Sequence, residues 1–469
     1  MYNLNFEKPC HVHMLGIGGI SMSGLAEVLI KEGFKLSGSD NKPSELTRKL
    51  EDRGARIHYT QTPDNLTDDI DVVVYTAAVK PGNPEFDACI EREIPMLSRA
   101  ELLGQIMKNY EHSIAISGTH GKTSVTSMIT HILLAADADP TVSVGGMLPI
   151  IGGNIRIGGR DMFVTEACEY TNSFLKFYPT IGVILNIEAD HLDFFRDIDD
   201  IRNSFKLFVR TLPQDGSGTV VICDMIDDIA HILEGFHGTV ITFGSENADV
   251  SAKNIQFDEN AFPSFDLYVK GKYIDNIKLH IPGEHNVRNA LAAIAVALRL
   301  GIDEKVFKEG LAGFYGAKRR FEKKGTFGKD ASIKLFDDYA HHPQEIVATL
   351  TAATHYPHER IVCVFQPHTY TRTKSLLKDF AKALALADVV VMPDIYPARE
   401  TDTLGVSSKT IADLINKNEE KEGRAPKAFY YPTFGEVETY LLEELKPGDM
   451  CITMGAGDVY LIGERLLGY

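Results

Sequence analysis

The sequence predicts an α/β protein of two to four domains, and three observations support this fold class. The chain has 469 residues, which is too many for a single hydrophobic core. Short apolar runs typical of buried strands alternate with amphipathic runs typical of helices along most of the chain. Two of the apolar runs lead into glycine loops that open a helix, at Gly16–Gly24 and at Gly118–Ser124.

The first hundred residues predict a Rossmann-like domain of the dinucleotide-binding type. Strands are predicted at His11–Leu15, Phe34–Ser37 and Asp71–Thr76, and a helix at Met22–Glu32. The glycine loop has the spacing G-x-G-G-x-x-x-x-G instead of the strict G-x-G-x-x-G, and Asp40 follows the second strand, where an acidic side chain can bind a ribose hydroxyl. Such a loop fits NAD, a UDP-sugar or a tight turn, and only motifs further along the chain favour the UDP-sugar.

The second glycine loop organises the middle of the chain. An apolar run precedes Gly118–Ser124, and an amphipathic run, Val125–Ala136, follows it. Strand, glycine loop and helix in this order bind phosphate groups, because successive backbone N–H groups can point at phosphate oxygens. Lys122 can reach the outer phosphates, and the hydroxyl of Thr123 can bind a magnesium ion. The loop is a short variant, G-x-x-G-K-T, since Ile116 stands where the usual Walker loop has its first glycine. A glycine turn with an incidental lysine is the alternative interpretation.

Composition and charge restrict the function classes. The formal net charge of −17 argues against a nucleic-acid partner, because phosphate backbones bind clustered Lys and Arg. The six cysteines are scattered without a C-x-x-C pair, which indicates reduced thiols in a cytoplasmic protein. No apolar run reaches membrane-spanning length and the amino terminus lacks a secretory signal pattern, so no membrane association is expected.

Two acidic segments of the middle region come at the ends of predicted strands. Glu166 ends one strand, and Asn186–Asp193 comes at the end of the next, Ile181–Asn186. The carboxyl ends of parallel strands line the ligand crevice, so Glu166 and His191 are expected to face the phosphates. Magnesium prefers oxygen ligands, which makes Glu166 the better predicted ligand of the two. A solvated turn at Asp190 and His191 is the alternative interpretation.

The last third of the chain, from Arg319, is again α/β and has two polar clusters directly after strands. Asp337–Pro343 contains two histidines and can supply a general base, and Phe365–Thr373 contains a histidine and an arginine. A histidine-rich loop also fits zinc, but no further ligands follow at zinc spacing, so zinc is not expected there. Arg319 and Arg320, at the domain junction, can bind surface carboxylates or clamp a γ-phosphate when domains close. The strands predicted in this region are Lys334–Asp338, Ile361–Phe365, Val389–Met392 and Cys451–Met454.

These motifs together resemble the Mur ligase family, the ATP-dependent amide ligases of bacterial cell-wall synthesis. The resemblance extends over nearly the whole chain, and the motifs occur in the order that the family has. The matching stretches are Gly16–Gly24, Ser37–Asp40, Gly118–Ser124, Asn186–Asp193, His285–Ala290, Asp337–Pro343 and Phe365–Thr373.

The resemblance implies three domains: a Rossmann-like domain for UDP-N-acetylmuramate at 1–110, a P-loop-type ATPase domain at 111–318 and a Rossmann-like amino-acid-binding domain at 319–469. It implies that ATP, with Mg²⁺, activates the lactyl carboxylate of the sugar as an acyl phosphate, which the amine of L-alanine then attacks. An enzyme of this kind works in the cytoplasm, as a monomer or homodimer, in peptidoglycan precursor synthesis, and so serves cell-wall biogenesis, cell shape and cell division.

Residue by residue, the resemblance implies several sets of site residues. The UDP-sugar set is Gly18, Gly19, Ile20, Ser39, Asp40 and Thr76. The ATP set is Gly118, Thr119, His120, Gly121, Lys122, Thr123, Ser124, Asn289, Arg320 and Asp338, with Asn289 near the adenine. The amino-acid set is His342, His368 and Arg372, and the magnesium set is Thr123, Glu166 and His191. The implied catalytic residues are Lys122, His191, Asp338 and His342.

Two positions need separate interpretation. Many relatives have Arg directly after the His of the F-Q-P-H stretch, and here that position is Thr369, so the alanine carboxylate is expected to bind mainly to Arg372. The alternative is that Arg372 caps the following helix or pairs with a surface acid such as Asp379. Sister ligases carry a carbamylated lysine, for which Lys206 is the candidate position, and we interpret Lys206 as an ordinary surface lysine.

Three other functions stay open at this level. A recycling ligase that joins a whole peptide to UDP-N-acetylmuramate shares most of the motifs, but its segment after the third-domain strand differs from Phe365–Arg372. An NAD-dependent oxidoreductase built on Gly16–Gly24 leaves Gly118–Ser124 without a function. A regulatory nucleotide-binding module without catalysis gives the histidine and carboxylate clusters no function.

Overall fold

The computed structural model describes residues 2–192, 194–398 and 400–468. Asp193, the last residue of the Asn186–Asp193 motif, lies outside the described residues. Within them the chain forms three separate β-sheets of five, ten and six strands, with helices between the strands. None of the described helices combines the length and the apolar character needed to cross a membrane.

The N-terminal sheet has the strand order β3-β2-β1-β4-β5, and all neighbouring strands are parallel. Its elements are β1 His11–Leu15, α1 Ile20–Lys31, β2 Lys35–Ser39, α2 Glu45–Asp52, β3 Arg56–His58, β4 Val72–Tyr75, α3 Pro84–Glu91, β5 Met96–Ser98 and α4 Arg99–Met107. The strand order reverses at β1, and the first glycine loop leaves the sheet there, as in dinucleotide-type folds. The structure therefore confirms the predicted Rossmann-like topology.

The central sheet has the order β15-β14-β13-β12-β11-β10-β6-β9-β7-β8. Its elements are β6 His112–Ser117, α5 Lys122–Ala135, β7 Thr141–Leu148, β8 Gly153–Arg156, β9 Met162–Glu166, β10 Ile181–Ile184, α6 Ile198–Val209, β11 Thr219–Cys223, α7 Ile229–Ile232, β12 Thr239–Gly244, β13 Val250–Phe257, β14 Pro263–Val269, β15 Lys272–Lys278, α8 His285–Arg299 and α9 Glu304–Ala312. The strands from β13 to β7 are parallel, and antiparallel strands extend the sheet at both ends.

The C-terminal sheet has the order β16-β17-β21-β18-β19-β20, and only the edge strand β16 is antiparallel to its neighbour among the described strands. Its elements are β16 Glu322–Phe327, β17 Ile333–Asp338, α10 Pro343–Thr354, β18 Ile361–Phe365, α11 Tyr370–Ser375, α12 Leu377–Leu384, β19 Val389–Met392, α13 Ser408–Lys421, β20 Ala428–Tyr430, α14 Phe434–Glu444, β21 Met450–Met454 and α15 Tyr460–Leu466. The domain boundaries at 110/111 and 318/319 stay a prediction, and both lie between elements.

The central sheet places the second glycine loop next to the two acidic segments. Strand β6, whose Ile114 and Ile116 are fully buried, lies between β10 and β9. Ile116 pairs with Glu166 in the ladder, and Ser117 pairs with Ile184. Because all three strands are parallel, their carboxyl ends meet at one edge of the sheet.

The buried hydrophobic clusters connect the N-terminal domain with the central domain but not with the C-terminal domain. One buried cluster contains residues of both the N-terminal and the central domain, among them Ile106 of α4 and Phe163 of β9. Among the described residues, the two buried clusters around the C-terminal sheet contain only residues from 321 onward. The N-terminal and central domains therefore share an apolar interface, whereas the C-terminal domain has its own core.

Candidate active site

The second glycine loop is held open by backbone conformation and by hydrogen bonds to the next strand end. Gly118 and Gly121 have φ angles of 138° and 86°, in the left-handed region that favours glycine. A Cβ at Gly121 would lie 2.7 Å from Oδ1 of Asn289, so no other residue fits there without displacing that side chain. The backbone N–H of His120 donates to the Asn186 side chain at 2.8 Å. The loop thus leads directly into the N-terminus of α5, where backbone N–H groups attract anions.

Lys122 is tied to the loop and to a buried acid. Its ammonium donates to the carbonyl of Gly118 and, at 3.1 Å, to that of Thr119. It also pairs with Glu169 at 3.1 Å, whose side chain is buried. Burial disfavours the charged ammonium, but Glu169 outweighs it and raises the pKa of Lys122. The lysine is therefore a cation at neutral pH, as phosphate binding requires.

Thr123, Glu166 and His191, the predicted magnesium ligands, line one cavity of about 500 Å³. Glu166 is fixed by a 2.7 Å hydrogen bond from the backbone N–H of Gly145. Burial lowers the pKa of His191, against the opposing effect of Asp190 and Glu169, so its ring is neutral near pH 7. A hydroxyl and a carboxylate are donors that suit Mg²⁺.

A second cavity, of about 440 Å³, adjoins the first and shares four residues with it, His120, Gly121, Arg320 and Glu345. We call this second cavity the base cavity, because it is lined by Asn289, the residue predicted to lie near the adenine base. We call the cavity that is lined by Thr123 the phosphate cavity. The predicted ATP residues that line the base cavity are His120, Gly121, Ser124, Asn289, Arg320 and Asp338, and those that line the phosphate cavity are Thr119, His120, Gly121, Lys122, Thr123 and Arg320. Gly118 contributes the carbonyl that accepts from Lys122. The structure therefore brings the predicted ATP set together.

The two arginines of the domain junction have different partners. Arg319 pairs with the buried Asp337 at 3.0 Å and donates to the carbonyl of Gly457 at 3.1 Å, so it is anchored within the C-terminal domain. Arg320 lines both cavities and lies over the ring of Tyr339. Arg319 therefore has a carboxylate partner, but a buried one and not the surface acid that one interpretation expected. Arg320 lies 3.9 Å from Glu345, and its contact with a phosphate stays a prediction.

Asp338 is fully enclosed at the base cavity. Its carboxylate accepts the backbone N–H groups of Phe321 and Ala340, both at 2.7 Å. Burial raises the pKa of Asp338 to about 6, although Arg320 and these N–H groups oppose the rise. The side chain is therefore ionised at neutral pH and titrates just below it.

The predicted amino-acid residues line neither cavity, but each contacts a residue of the phosphate cavity: His342 contacts His120, His368 contacts His341, and Arg372 contacts Asp190. Arg372 pairs with Asp190 at 3.1 Å, and its Nη1 lies 3.5 Å from Nδ1 of His368. Asp190 is only 9% exposed, so the alternative of a solvated turn is wrong for Asp190, whereas the side chain of His191 is 23% exposed. Burial disfavours the charge on Asp190, but Arg372 outweighs it and holds the pKa well below its usual value. His342 packs against His120, with ring centroids 4.9 Å apart.

Comparisons with known proteins decide the family. Three family models match: "Mur ligase family, catalytic domain" at 11–111, "Mur ligase middle domain" at 116–297 and "Mur ligase, glutamate ligase domain" at 319–457. A UDP-N-acetylmuramate--L-alanine ligase of Lachnospira eligens is 54% identical over 469 residues, which cover 100% of both chains. The chain belongs to the Mur ligase family. A ligase of the same name from Agathobacter rectalis is also 54% identical, again over 100% of both chains.

Solved structures of Mur ligases share the fold. A UDP-N-acetylmuramate-alanine ligase of Thermotoga maritima superimposes with a TM-score of 0.76 at 29% identity, over 98% of each chain. A murein peptide ligase of Psychrobacter arcticus gives a TM-score of 0.66 at 24% identity, also over 98% of each chain. This second comparison shows only that the two proteins share a fold.

The residues predicted to bind the UDP-sugar lie at the strand ends of the N-terminal sheet of this Mur ligase. The N–H of Gly18 donates to Asp40 at 2.8 Å, and a Cβ at Gly16 would lie 2.6 Å from the Thr76 side chain. Ser39 is fully buried, and its hydroxyl donates to Glu85. Asp40, Thr76 and Ser39 thus shape the loop, and their contact with a ligand stays a prediction. Gly19 and Ile20, at the start of α1, are exposed.

Two acidic residues of this site, Glu345 and Glu188, were not among the predicted site residues. Glu345 accepts the backbone N–H of His342 at 3.2 Å and faces Nδ1 of His120 at 3.2 Å. Glu188 faces Nε2 of His120 at 3.0 Å. Burial opposes a charge on His120, but Glu345 and Glu188 outweigh it and raise the pKa of His120 to about 9. A glutamate three residues after a helix N-cap, as in a capping box, was the signal for Glu345.

Lys206, the candidate for carbamylation, lies on α6. Its ammonium pairs with Glu234, and it lines neither of the two cavities. Its side chain is only 16% exposed, so it is more buried than a surface lysine, and the absence of carbamylation stays a prediction.

Proposed function

We propose that this Mur ligase joins L-alanine to the lactyl carboxylate of UDP-N-acetylmuramate at the expense of ATP. The observation that carries the proposal is the 54% identity, over the full length of both chains, to ligases of that name. The reaction belongs to peptidoglycan precursor synthesis, and we assign it to the cytoplasm. We expect the enzyme to be a monomer or homodimer, which sedimentation of the purified protein will determine.

The proposed reaction has two steps. In the first, a lactyl carboxylate oxygen forms a bond to the γ-phosphorus of ATP while the bond from that phosphorus to ADP breaks. In the second, the amine nitrogen of L-alanine attacks the acyl carbon, the bond to phosphate breaks, and the nitrogen loses a proton. Both steps bring anionic groups together, so the site must supply positive charge.

The chain supplies that charge from several directions. Lys122 and the N-terminus of α5 face the phosphates from the central domain, and Arg320 faces them from the C-terminal domain. Thr123 and Glu166, with His191, are the residues that would hold Mg²⁺, whose charge would offset that of the phosphate oxygens. Asp338 reaches the nucleotide from the base cavity.

L-Alanine is a small zwitterion, so most of its recognition must come from its charged ends. We assign its carboxylate to Arg372, because a guanidinium donates two parallel N–H bonds to a carboxylate. Arg372 is now paired with Asp190, which the substrate carboxylate must replace. His342 and His368 lie beside these groups and complete the proposed amino-acid site.

Phosphate release with ATP and UDP-N-acetylmuramate tests the proposal when L-alanine, glycine, L-serine and a muropeptide-type tripeptide are compared as acceptors. We expect release to be fastest with L-alanine. Release with the tripeptide alone would identify a recycling ligase instead. If no acceptor supports ATP-dependent phosphate release, the proposed reaction is wrong.

A further inference from the structure

Two histidines and a glutamate meet where the phosphate loop touches the C-terminal domain. His120 lies in the loop before α5, Glu188 follows β10, and His342 precedes α10. One ligand atom of each residue lies within 4.8 Å of those of the other two. We call these three residues the His–Glu–His cluster. It shares no residue with the proposed magnesium ligands Thr123, Glu166 and His191.

One ring nitrogen of His342 has no hydrogen-bond partner. His342 is only 5% exposed, and among the described residues none forms a hydrogen bond with its Nε2. Burying a polar atom without a hydrogen bond costs free energy, so such an atom in a native structure needs an explanation. A buried polar atom without a hydrogen bond can instead be a ligand of a bound ion.

We propose that the His–Glu–His cluster is a binding site for a transition-metal ion of the zinc type. Two imidazole nitrogens and a carboxylate oxygen are a known zinc ligand set, whereas Mg²⁺ prefers oxygen. Ligands of a tetrahedral zinc ion lie roughly 3.3 Å apart, given zinc–ligand bonds of about 2.0–2.1 Å. His120 and Glu188 already lie 3.0 Å apart, and all three ligand atoms lie within 4.8 Å of one another, so the ion would draw the most distant pair closer together.

The surroundings of the cluster also suit a metal. A zinc-bound histidine commonly donates its other ring N–H to a carboxylate, and Nδ1 of His120 faces Glu345 at 3.2 Å. Glu345 is itself anchored by the backbone N–H of His341 at 3.0 Å. Nδ1 of His342 accepts only a long bond, 3.4 Å, from the N–H of Gln344. Metal binding through Nε2 moves the imidazole proton to Nδ1 and gives up that bond.

The ion would join two domains. His120 and Glu188 belong to the central domain and His342 to the C-terminal domain, so the site is complete only when the two are in contact. Three protein ligands leave the fourth position of a zinc ion for water or an anion. The ion therefore fastens the loop that binds phosphate to the domain that closes over it.

Cobalt titration of the nucleotide-free enzyme in magnesium-free buffer tests the proposal, because Co²⁺ takes zinc sites and absorbs visible light there. We expect one equivalent to bind with the spectrum of a four-coordinate ion and to be displaced by added Zn²⁺. Glu188→Gln and His342→Gln should each weaken binding about a hundredfold or more, and Glu345→Gln about ten- to a hundredfold. Glu188→Gln decides the matter if His342→Gln fails to fold, since Glu188 is partly exposed.

Three matched variants serve as controls. His341→Gln changes the neighbouring histidine of the same loop, His191→Gln changes the proposed magnesium site, and Cys168→Ser removes an exposed thiol. Each should bind cobalt as the unaltered enzyme does. Absence of one tight equivalent, undiminished binding in Glu188→Gln, or loss of binding in His191→Gln or Cys168→Ser would overturn the proposal.

Discussion

At the scale of single residues, the site is built from side chains that neutralise one another while no substrate is bound. Lys122 pairs with Glu169, Arg372 with Asp190, and His120 with Glu188 and Glu345. Anionic substrates must therefore exchange places with protein carboxylates when they bind. This exchange keeps the cations positioned without leaving a buried charge unpaired.

Lys122→Ala should abolish ligation while the affinity for UDP-N-acetylmuramate stays nearly unchanged. Loss of one group that stabilises charge in the transition state costs about 10²–10³-fold in rate, and the proposed sugar-nucleotide site lies in a different domain. Calorimetry with each ligand and a ligation assay will measure the two effects. Lys409→Ala, which changes an exposed lysine paired with Asp413 on α13, is the matched control and should behave as the parent. Equal loss of both ligands would contradict this division of roles.

Arg372→Lys should raise the Michaelis constant for L-alanine and leave those for ATP and the UDP-sugar almost unchanged. An ammonium cannot reproduce two parallel N–H bonds to a carboxylate, and Thr369 provides no second cation. Losing such a partner costs about 2–5 kcal/mol, roughly a thirtyfold or larger loss of affinity. Steady-state kinetics with each substrate varied in turn provide the measurement. An unchanged constant for L-alanine, with only a lower melting temperature, would assign Arg372 a structural role through Asp190.

Asp338 should give the reaction an acidic limb in its pH profile. Burial raises the pKa of Asp338 to about 6, so the carboxylate is ionised above that pH and becomes neutral as the pH falls through it. If its charge helps to place the nucleotide, kcat/KM for ATP falls below about pH 6. Asp338→Asn should lower the rate at neutral pH and remove this limb. A limb that persists in the variant would belong to another group.

At the scale of elements, accuracy of prediction followed the strength of the local pattern. The strands Ile361–Phe365 and Val389–Met392 were predicted with the bounds that the structure has, because each is an uninterrupted buried apolar run. The predicted start of helix α1, Met22, was wrong, because the helix begins at Ile20. Ile20 is 67% exposed and lies outside the apolar periodicity on which the prediction was based. Strand β3 was not predicted because its three residues are largely polar and lie partly in solvent.

Gly19→Val should weaken binding of UDP-N-acetylmuramate without weakening ATP. A Cβ at Gly19 would meet nothing nearer than 3.5 Å, so valine fits the empty loop and acts mainly on a ligand at the start of α1. Gly18→Val is the contrasting variant, because its Cβ would lie 2.8 Å from Thr47 and 2.9 Å from Asp40 and should destabilise the domain. Calorimetry and thermal unfolding of both variants distinguish the two effects. An unchanged affinity for the UDP-sugar in Gly19→Val would place the sugar nucleotide elsewhere.

At the scale of the whole molecule, sequence reasoning found clusters within a domain but not the contacts between domains. Glu166 and the loop with Lys122 could be placed together because parallel strand ends share one edge of a sheet. Arg372 and Asp190 are 182 residues apart, and His120 and Glu345 are 225 apart. No local pattern encodes such pairs, which depend on how the C-terminal domain rests on the rest of the chain.

The pair of Arg372 and Asp190 should help to hold the C-terminal domain in place. The buried clusters of that domain include none of the described residues before 321, so its contact with the central domain depends strongly on polar groups. Asp190→Asn leaves the guanidinium of Arg372, only 12% exposed, without its counter-charge, at a cost of about 2–5 kcal/mol. The domain can recover part of this cost by moving away and exposing Arg372 to water. We therefore expect a larger radius of gyration for the ligand-free variant in small-angle X-ray scattering.

Asp200→Asn, which breaks an exposed pair with Arg196 inside the central domain, should leave the scattering unchanged. A curve for Asp190→Asn identical to that of the parent would show that the remaining contacts, including His120 with Glu345, keep the domains together on their own.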